Sequence, residues 1–383
     1  MKILLLTDGI FPFQLGGMQK HSSILLSLLA EQKVFVHIMH CGGHGYTKQE
    51  YLSSLDDSTF GFVSESKIDF PKLAALPGHY IRENRLYSMR LYSEIKDELI
   101  EFDLIYAQGF TGSYFIKQKD KHKIPIVVNL HGLEMFQFAA NFKVKIQYLL
   151  LAREAKNNLF GADFVYSFGG KLNDILERIG IRKEKILQHS NGISKDYLAE
   201  LSRLKKLNKL RFLFIGRNER RKGFPELQIA IKQLITNSKL NFFIDFVGPI
   251  ENENILVHPN LTYHGEIRDT EKIIEILDTC DCLICPSYAE GMPTVILEAM
   301  ARGLAIIATD VGAINRMIDG NGILLAKPNS KDIAAAMKTI STLPEKDLLQ
   351  MKMKSLELIK EKFLWEQVIQ DKIKDFEKII KKS

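Results

Sequence analysis

Two glutamates eight positions apart, Glu290 and Glu298, are the residues of this 383-residue chain best placed to do chemistry. Gly291 and Pro293 lie between them, and because proline favours the first position of a helix, a helix is predicted to begin near Pro293. The free amides at such a helix start attract anions, each favourable charge contributing about 1 kcal/mol. A phosphate bound there would be flanked by two carboxylates able to accept hydrogen bonds from sugar hydroxyls. The alternative is structural: Glu298 pairs with Arg302 one turn later, worth ~0.3–0.5 kcal/mol.

A basic loop at residues 215–224, which reads IGRNERRKGF, is the second candidate group. A predicted strand ends just before Arg217, and Lys222 follows five positions later. Arginine presents a planar fork of donors and lysine a point charge, so the pair suits a diphosphate with its roughly two to three negative charges. The sequence does not fix the directions of Arg220 and Arg221, and the alternative is a solvated basic loop.

Two further candidates follow predicted strands in the first half of the chain. Gly16 and Gly17 precede a predicted helix, where paired glycines let the backbone approach a phosphate closely. Their spacing matches neither GxGxxG nor GxxxxGK[ST], so neither a dinucleotide fold nor a P-loop NTPase is indicated. His131 ends a predicted strand, where a neutral imidazole could hydrogen-bond a sugar hydroxyl or support a developing charge. The alternatives are an ordinary tight turn and a structural histidine.

The cysteines do not predict a metal site. Cys282 and Cys285 point to opposite faces of a predicted strand, and no second CxxC or HxxxH motif lies near them or Cys280. Buried apolar cysteines explain the pattern better. Four cysteines in the whole chain exclude a disulfide framework and are typical of a reducing cytosol.

Composition restricts the class of protein. Hydrophobic residues make up 46% and charged residues 26%, which is typical of a globular protein and argues against disorder. The net charge of +6 is not gathered into a basic stripe with interleaved aromatics, so a nucleic-acid partner is not expected. The apolar runs are too short to span a bilayer, and Asp8 interrupts the first of them, which favours a buried strand over a signal peptide.

The elements that must position these residues alternate between short apolar strands and helices, and the pattern restarts near residue 210. Such alternation predicts the α/β class, with two doubly wound, Rossmann-like parallel-sheet domains. We predict one domain at 1–195 and another at 196–364, with a Lys- and Leu-rich linker at 201–210. Ligands of such sheets bind beyond the carboxyl ends of the strands, so the site is expected in a cleft between the domains. The predicted strands are 2–7, 34–39, 103–107, 124–130, 164–167 and 185–189, then 212–215, 242–247, 261–264, 282–285, 305–308 and 322–324.

In this order and spacing, the motifs resemble those of the family 4 retaining glycosyltransferases, which have the GT-B fold. The strongest similarity is EGMPTVILEAM, which resembles that family's two-glutamate motif, and ARGLAIIATDVGA continues it. The loop IGRNERRKG resembles the family's strand–Gly–Arg loop, SNGIS its turn at the domain junction and LGGMQKH its N-terminal glycine loop. Residues 363–365 and the final helix, 365–383, resemble the segment that crosses back onto the first domain.

The resemblance implies a role for each matching residue. Arg217 and Lys222 would bind the donor diphosphate and stabilise it as it leaves. Glu298 would bind the ribose, Glu290 would contact the donor sugar, and His131 would sit beside that sugar. The other implied donor-binding positions, which would approach the diphosphate through the backbone, are Gly16, Gly17, Met292, Pro293, Thr294 and Val295.

The resemblance also implies the reaction. It would be a retaining transfer, of the hexosyltransferase type, from a nucleotide diphosphate sugar to a hydroxyl of a glycan or lipid-linked acceptor. Neither a metal nor another cofactor is expected, because arginine and lysine supply the charge that a divalent ion supplies elsewhere. The expected setting is bacterial surface glycan biosynthesis, such as lipopolysaccharide or capsule. The alternative function is a non-catalytic nucleotide-sugar-binding partner subunit with the same fold.

Two basic, partly apolar stretches bear on location. Residues 76–92 and 143–156 could each present an amphipathic face to anionic lipid. The alternative for each is a core-facing helix with a solvated basic side. Because many members of the family that the chain resembles act on lipid-linked or surface glycans, the resemblance implies a cytoplasmic location, with peripheral binding at the inner face of the membrane left open.

Overall fold

Two parallel sheets form the framework of the protein. The computed structural model describes residues 1–14, 16–42, 59–74, 78–139, 141–201, 209–237 and 242–382. Within those ranges the first sheet contains β1 (Lys2–Leu6), β2 (Phe35–His40), β3 (Val63–Lys67), β4 (Leu104–Gln108), β5 (Ile126–Asn129), β6 (Phe164–Ser167) and β7 (Ile186–Gln188). The second contains β8 (Leu210–Ile215), β9 (Phe242–Val247), β10 (Leu261–Tyr263), β11 (Cys282–Cys285), β12 (Ala305–Thr309) and β13 (Gly322–Leu325).

Helices cover these sheets. In the first half they are α1 (Gly17–Glu31), α2 (His79–Ile95), α3 (Ser113–Lys117), α4 (Lys119–His122), α5 (Phe142–Gly161) and α6 (Lys171–Arg178). In the second half they are α7 (Phe224–Asn237), α8 (Thr270–Asp278), α9 (Thr294–Ala301), α10 (Ser330–Thr342), α11 (Glu345–Lys362) and α12 (Trp365–Lys382). The predicted α/β class with doubly wound parallel sheets is confirmed.

The strand order determines where a ligand can bind. The first sheet has the order β3-β2-β1-β4-β5-β6-β7 and the second the order β10-β9-β8-β11-β12-β13. The order therefore reverses between β1 and β4 in one sheet and between β8 and β11 in the other. At such a switch point ligands bind in a crevice beyond the carboxyl ends of the strands. The loops after β8 and β11 carry the basic loop and Glu290, so both predicted groups lie at one crevice.

Strand β3 was not predicted, because its sequence, VSESK, is polar. It pairs in parallel with β2. Its Glu65 is buried with Oε1 2.8 Å from Nε2 of His40, a buried residue of β2. A hydrogen-bonded polar pair can occupy a buried position that would otherwise need an apolar side chain. Residues 202–208 of the predicted linker lie outside the described residues, so the domain boundary at 195/196 stays a prediction.

The last helix packs on the first sheet, although it follows the second sheet in the chain. Ile369, Phe376 and Ile379 of α12 are buried in one hydrophobic cluster with Ile3 and Tyr106 of the first sheet. We call the first sheet, its helices and α12 the first lobe, and the second sheet with α7 to α11 the second lobe. The chain therefore crosses between the lobes a second time at the start of α12, and two covalent connections join the lobes.

Backbone hydrogen bonds at the lobe junction hold the chain where it returns to the first lobe. The amide of Ile193 donates to the carbonyl of Phe363 at 2.8 Å, and the amide of Trp365 donates to the carbonyl of Ile193 at 3.2 Å. The Trp365 ring lies over Gly192, where a Cβ would be only 2.3 Å from the indole Cδ2. A side chain at position 192 would thus displace the tryptophan that begins α12.

Replacing a buried lysine of α12 tests this packing. The ammonium of Lys372 is fully buried, lies 3.8 Å from the centre of the Tyr166 ring and has no hydrogen-bond acceptor among the described residues. Burial lowers the pKa of Lys372 from 10.5 to about 7, although Asp375 opposes the shift. Because the unfolded chain then binds this proton more tightly, the free energy of unfolding should rise between about pH 7 and 10.

We expect Lys372→Met to raise the free energy of unfolding by about 1–3 kcal/mol at pH 7, with a smaller gain at about pH 9. Thermal and denaturant unfolding at the two pH values measure this. Lys374→Met removes an exposed lysine of the same helix and should change stability by less than about 0.5 kcal/mol. If the free energy of unfolding of Lys372→Met varied with pH as that of the wild-type protein does, the folded protein would already compensate for the burial of the ammonium.

Candidate functional site

The loop after β8 is held against the loop after β11. It forms a 3₁₀ turn at Arg220–Lys222 and continues through Gly223, with φ of 70°, into α7. A Cβ at Gly223 would lie 1.8 Å from the carbonyl oxygen of Pro286, so glycine is needed for this close approach. The amide of Tyr288 also donates to the carbonyl of Arg221 at 2.8 Å. The backbone therefore brings the two switch-point loops together.

Glu290 is the centre of a charge cluster between these loops. Its Oε1 lies 2.7 Å from Nζ of Lys222 and accepts a hydrogen bond from Oγ of Ser287, also at 2.7 Å. Its Oε2 lies 3.8 Å from Nη1 of Arg221. The side chain of Glu290 is buried, and a buried carboxylate costs several kcal/mol unless it is paired and hydrogen-bonded. The three partners provide that compensation.

Arg217 lies at the outer end of the same cluster. Its Nη1 is 3.0 Å from Oε1 of Glu219, whose other oxygen is 3.9 Å from Nε of Arg221. Arg217 is therefore linked to Glu290 through Glu219 and Arg221 and not by direct contact. Its side chain is 62% exposed. The loop is therefore neither fully solvated nor a preformed diphosphate clamp, since Lys222 is engaged and Arg217 faces solvent.

Helix α9 begins at Thr294, immediately after Pro293, which confirms the predicted helix start. No side chain of the described residues caps this start, so its first amides remain available to an anion. The amide of Asn191 donates to Sδ of Met292 at 3.0 Å, which attaches the helix start to the lobe junction. Val295 packs against the hydrophobic core, and this contact fixes the orientation of the first turn.

Glu298 lies in the second turn of α9 and reaches toward the other lobe. Its Oε1 is 3.7 Å from Nζ of Lys20, a residue of α1. Burial raises the pKa of the Glu298 carboxyl, and Lys20 acts to lower it. The alternative in which Glu298 pairs with Arg302 is wrong, because Arg302 donates from Nε and Nη2 to the two carboxylate oxygens of Asp278 at 2.7 and 2.8 Å.

A cavity of about 660 Å³ lies between the starts of α1 and α9. Gly17, Lys20, Thr294 and Glu298 all contribute to its wall, so residues of both lobes face one space. A Cβ at Gly17 would meet nothing within 4 Å, which leaves the backbone there open to a ligand. At Gly16, by contrast, a Cβ would lie 2.0 Å from the side-chain oxygen of a glutamine on α1. The backbone at Gly17 therefore has room for a ligand beside it, whereas Gly16 is closely packed.

His131 follows β5 at the edge of the cleft, with a positive φ of 60°. Its Nε2 is 2.6 Å from Oε1 of Gln108, and its amide donates to Oδ1 of Asn129 at 2.9 Å. Burial, and then the charge of Lys372, lower the pKa of His131 to about 3, so the imidazole is neutral at physiological pH. Its carbonyl lies beside the Glu290 loop, 3.1 Å from a Cβ built at Gly291.

Two residues of this region, Lys20 and Gln137, were not identified from the sequence, and the direction of Arg221 was left open. Lys20 follows Gly17 by three positions, which places it on the same side of α1, and that spacing was the available signal. Arg221 precedes Lys222, but its direction depends on the 3₁₀ turn. Gln137 donates from Nε2 to the carbonyl of Glu290 at 2.9 Å, a contact between lobes that no sequence pattern indicates.

Other features of the described residues concern metals and membranes. Within them, no helix is both long and apolar enough to cross a bilayer. The same residues contain no group of three His, Cys, Asp or Glu side chains that could hold a metal ion. Cys280, Cys282 and Cys285 are buried free thiols, and burial raises the pKa of each. Such thiols are unreactive core residues.

Two parallel-sheet lobes with charged loops at a switch point facing the cleft are the arrangement of GT-B glycosyltransferases. Sucrose-phosphate synthase from Thermosynechococcus elongatus is similar over 100% of both chains, with a TM-score of 0.77 and 16% identity. HepE from Anabaena in complex with UDP has a TM-score of 0.72 and 17% identity over 99% of this chain and 100% of that one. At these identities the likeness establishes the fold, and the predicted GT-B fold is confirmed.

Sequence comparison finds related glycosyltransferases over part of the chain. Residues 209–342 match the family model described as glycosyl transferases group 1. A Bacillus subtilis protein named for teichuronic acid biosynthesis, the glycosyltransferase TuaC, is 27% identical over 283 residues, covering 69% of this chain and 68% of that protein. The Campylobacter jejuni N,N'-diacetylbacillosaminyl-diphospho-undecaprenol alpha-1,3-N-acetylgalactosaminyltransferase is 30% identical over 254 residues, or 63% and 61% of the two chains. The family model and these relatives confirm the resemblance to glycosyltransferases that the motifs indicated.

Gly312→Ala should displace the Glu290 loop. Gly312 has φ of 58°, and a Cβ there would lie 2.3 Å from the carbonyl oxygen of Glu290 and 2.4 Å from that of Gly291. We expect a loss of about 1–3 kcal/mol of stability and at least about tenfold weaker binding of a nucleotide sugar. Thermal unfolding and calorimetry measure the two, using the nucleotide sugar that raises the melting temperature most in a screen.

Gly265→Ala is the matched control for this variant. Gly265 also has positive φ, 72°, but a Cβ there would meet nothing within 4 Å. It should cost about 1 kcal/mol of backbone strain and leave binding unchanged. Binding of wild-type strength by Gly312→Ala would contradict the assignment of the Glu290 loop to the donor site.

Proposed function

We propose that this glycosyltransferase moves a sugar, in a hexosyl transfer, from a nucleotide diphosphate sugar to an acceptor hydroxyl with retention at the anomeric carbon. The observation that carries the proposal is the charge cluster at the β8–β11 switch point. There Lys222 and Arg221 converge on Glu290, beside the uncapped start of α9. Cationic side chains and free helix amides are what a departing diphosphate requires.

In the proposed reaction, the bond between the anomeric carbon and the diphosphate oxygen breaks, and the acceptor oxygen bonds to the same face of that carbon. Arg217, Lys222 and the amides near residues 292–295 would stabilise the charge that builds on the diphosphate, each contact supplying roughly 2–4 kcal/mol. The acceptor proton passes to the departing phosphate oxygen, so no separate base takes part. Arginine and lysine supply the positive charge for which other enzymes use a divalent ion.

The two carboxylates would hold the two sugars of the donor. Glu298 shares the cavity wall with Gly17 and would accept hydrogen bonds from the ribose hydroxyls. Glu290 would face the transferred sugar, near His131. A neutral imidazole can hydrogen-bond a sugar hydroxyl without opposing the positive charge that develops at the anomeric centre, and the low pKa of His131 keeps it neutral.

Glu298→Ala and Lys222→Ala should each lower the transfer rate at least about tenfold without unfolding the protein. The first loses the ribose ligand, and the second loses a charge on the leaving group. Turnover is measured with the nucleotide sugar selected by thermal shift and a panel of glycan and lipid-linked acceptors.

Lys232→Ala, on the exposed side of α7, is the control and should retain wild-type turnover. Wild-type rates in folded Glu298→Ala and Lys222→Ala would contradict both roles, and donor binding without turnover in the wild-type protein would favour the non-catalytic partner subunit.

The acceptor is proposed to be a glycan or lipid-linked glycan of a bacterial surface polysaccharide. Support comes from the relatives, whose names refer to teichuronic acid, to a diphospho-undecaprenol acceptor and, for CapM of Staphylococcus aureus, to capsular polysaccharide. A cavity of about 610 Å³ between the start of α2 and α5 has mainly apolar walls, including Tyr80, Ile146, Leu150 and Leu151. The hydrocarbon chain of a lipid-linked acceptor could lie there.

We further propose a cytoplasmic protein that binds the inner face of the membrane through α5. An apolar stripe follows one side of the first half of this helix, and Lys143 and Lys145 are exposed beside it. The stripe consists of Phe142, Ile146, Leu149 and Leu150, which are 77%, 46%, 67% and 46% exposed. Exposed apolar residues flanked by lysines suit an anionic bilayer surface.

The segment at 76–92 offers no comparable face in its described part. Residues 76 and 77 lie outside the described residues. Tyr87 is fully buried in the core, and Arg85 is hydrogen-bonded to the carboxylate of Glu154. The interpretation of α2 as a core-facing helix with a solvated basic side therefore fits better, and the membrane proposal rests on α5.

Phe142→Ser combined with Leu149→Ser should lower binding to vesicles at least about tenfold. Burying each of these apolar side chains in the bilayer contributes a binding free energy on the order of 1.5–3 kcal/mol. Flotation with phosphatidylcholine vesicles that also contain phosphatidylglycerol measures this. Ile100→Ser with Val257→Ser removes two apolar residues that are 91% and 96% exposed elsewhere and should not change binding. If the wild-type protein did not float with anionic vesicles, the membrane proposal would be rejected.

A further inference from the structure

We propose that Lys20 is a positioning residue for the donor: it reaches from the first lobe to Glu298 in the second lobe and holds that carboxylate as the anion that accepts hydrogen bonds from the ribose. The inference rests on the proposed function of Glu298 as the ribose ligand. It adds to that function a residue of the opposite lobe, so that the donor site is complete only when the two lobes are packed together.

The geometry of the pair supports a role through charge. Nζ of Lys20 lies 3.7 Å from Oε1 of Glu298, which is longer than the about 2.7–3.2 Å of a direct hydrogen bond. The ammonium therefore stabilises the carboxylate while leaving its oxygens free to accept from hydroxyls. The Glu298 side chain is only 11% exposed and that of Lys20 44%, so the lysine bridges solvent and a buried acid.

Apart from Lys20, the basic side chains on the described wall of the cavity are paired elsewhere or neutral. The remaining titratable side chains on its wall are His21, Glu31, Lys195, Asp196, Tyr197 and Glu366. Lys195 pairs with Glu366 at 2.9 Å, and burial lowers the pKa of His21 well below 6.5, so that it is neutral. On the helix of Glu298 itself, Arg302 is bound to Asp278. Of the cations that line the described part of this cavity, Lys20 is the one left to balance Glu298.

A dependence on pH follows from this arrangement. Burial raises the pKa of Glu298 and Lys20 counteracts the rise, so removing Lys20 should raise it further. A protonated carboxyl has lost an acceptor and gained a donor, and it holds a ribose diol less well. Donor affinity should then fall as the pH falls through the raised pKa, and in Lys20→Met this fall should occur at higher pH than in the wild-type protein.

The experiment measures the dissociation constant of the selected nucleotide sugar by calorimetry from about pH 6 to 8.5. A nucleotide sugar is used because its diphosphate is esterified at both ends and lacks the phosphate ionisation near pH 6 of a free diphosphate. We expect Lys20→Met to bind at least about fivefold more weakly at pH 6 than at pH 8.5, while the wild-type protein and Lys20→Arg change less than about twofold. In Lys20→Met/Glu298→Gln, which has no titrating acid at this position, the pH dependence should disappear.

Two results would overturn the inference. A loss of affinity in Lys20→Met that is equal at every pH would mean that Lys20 contacts the donor itself, and an unchanged affinity would mean that it has no part in binding. Lys183→Met, which removes a lysine of the same lobe that pairs with Glu177, should behave as wild type. Glu298→Gln tests the underlying role separately: if it binds the donor like the wild-type protein, the ribose assignment of Glu298 fails whatever Lys20 does.

Discussion

The site depends on two carboxylates that are buried and still have to carry charge. Glu290 and Glu298 are 6% and 9% exposed, and an unpaired carboxylate at that depth costs several kcal/mol. Each therefore needs a cation from a neighbouring element. Glu290 obtains Lys222 from the adjacent loop of its own lobe, whereas Glu298 faces Lys20 of the opposite lobe. The first charge is stabilised locally, and the second is stabilised only where the lobes meet.

Close backbone contacts allow the loops, and the two lobes, to pack together. The switch-point loops approach each other so closely that Gly223 has no room for a side chain, and the same holds for Gly312 behind the Glu290 loop. Across the lobes, the amide of Lys171 donates to the carbonyl of Gly312 at 2.8 Å. Glycines thus allow the loops to pack at main-chain distance, and this packing brings Lys222 and Arg221 within reach of Glu290.

Sequence reasoning predicted most of the fold; at the candidate site it singled out Glu290, Glu298 and Lys222 but not Lys20 or Gln137, for a physical reason. Apolar strands and a helix start at Pro293 are local patterns, and both are confirmed. Strand β3 was missed because its buried Glu65 depends on His40 of another strand. The alternative in which Glu298 pairs with Arg302 is wrong for the same reason, since Asp278 of a neighbouring helix binds the arginine in two hydrogen bonds. Local spacing predicts which residues could meet, and tertiary packing decides which do.

This difference separates the two halves of the site. The second-lobe residues lie on the two loops of a single switch point and on the helix that follows one of them, so each group forms a short motif that can be seen in the sequence. The first-lobe contribution comes from α1, α2, α5 and the loop after β5, which only the sheet brings together. These elements are not independent of the second lobe, because Gln137 of the loop after β5 donates to the carbonyl of Glu290 at 2.9 Å. In the proposed function the acceptor would lie against these scattered first-lobe elements and the donor diphosphate against the second-lobe loops, and the family model matches residues 209–342, which lie within the second lobe.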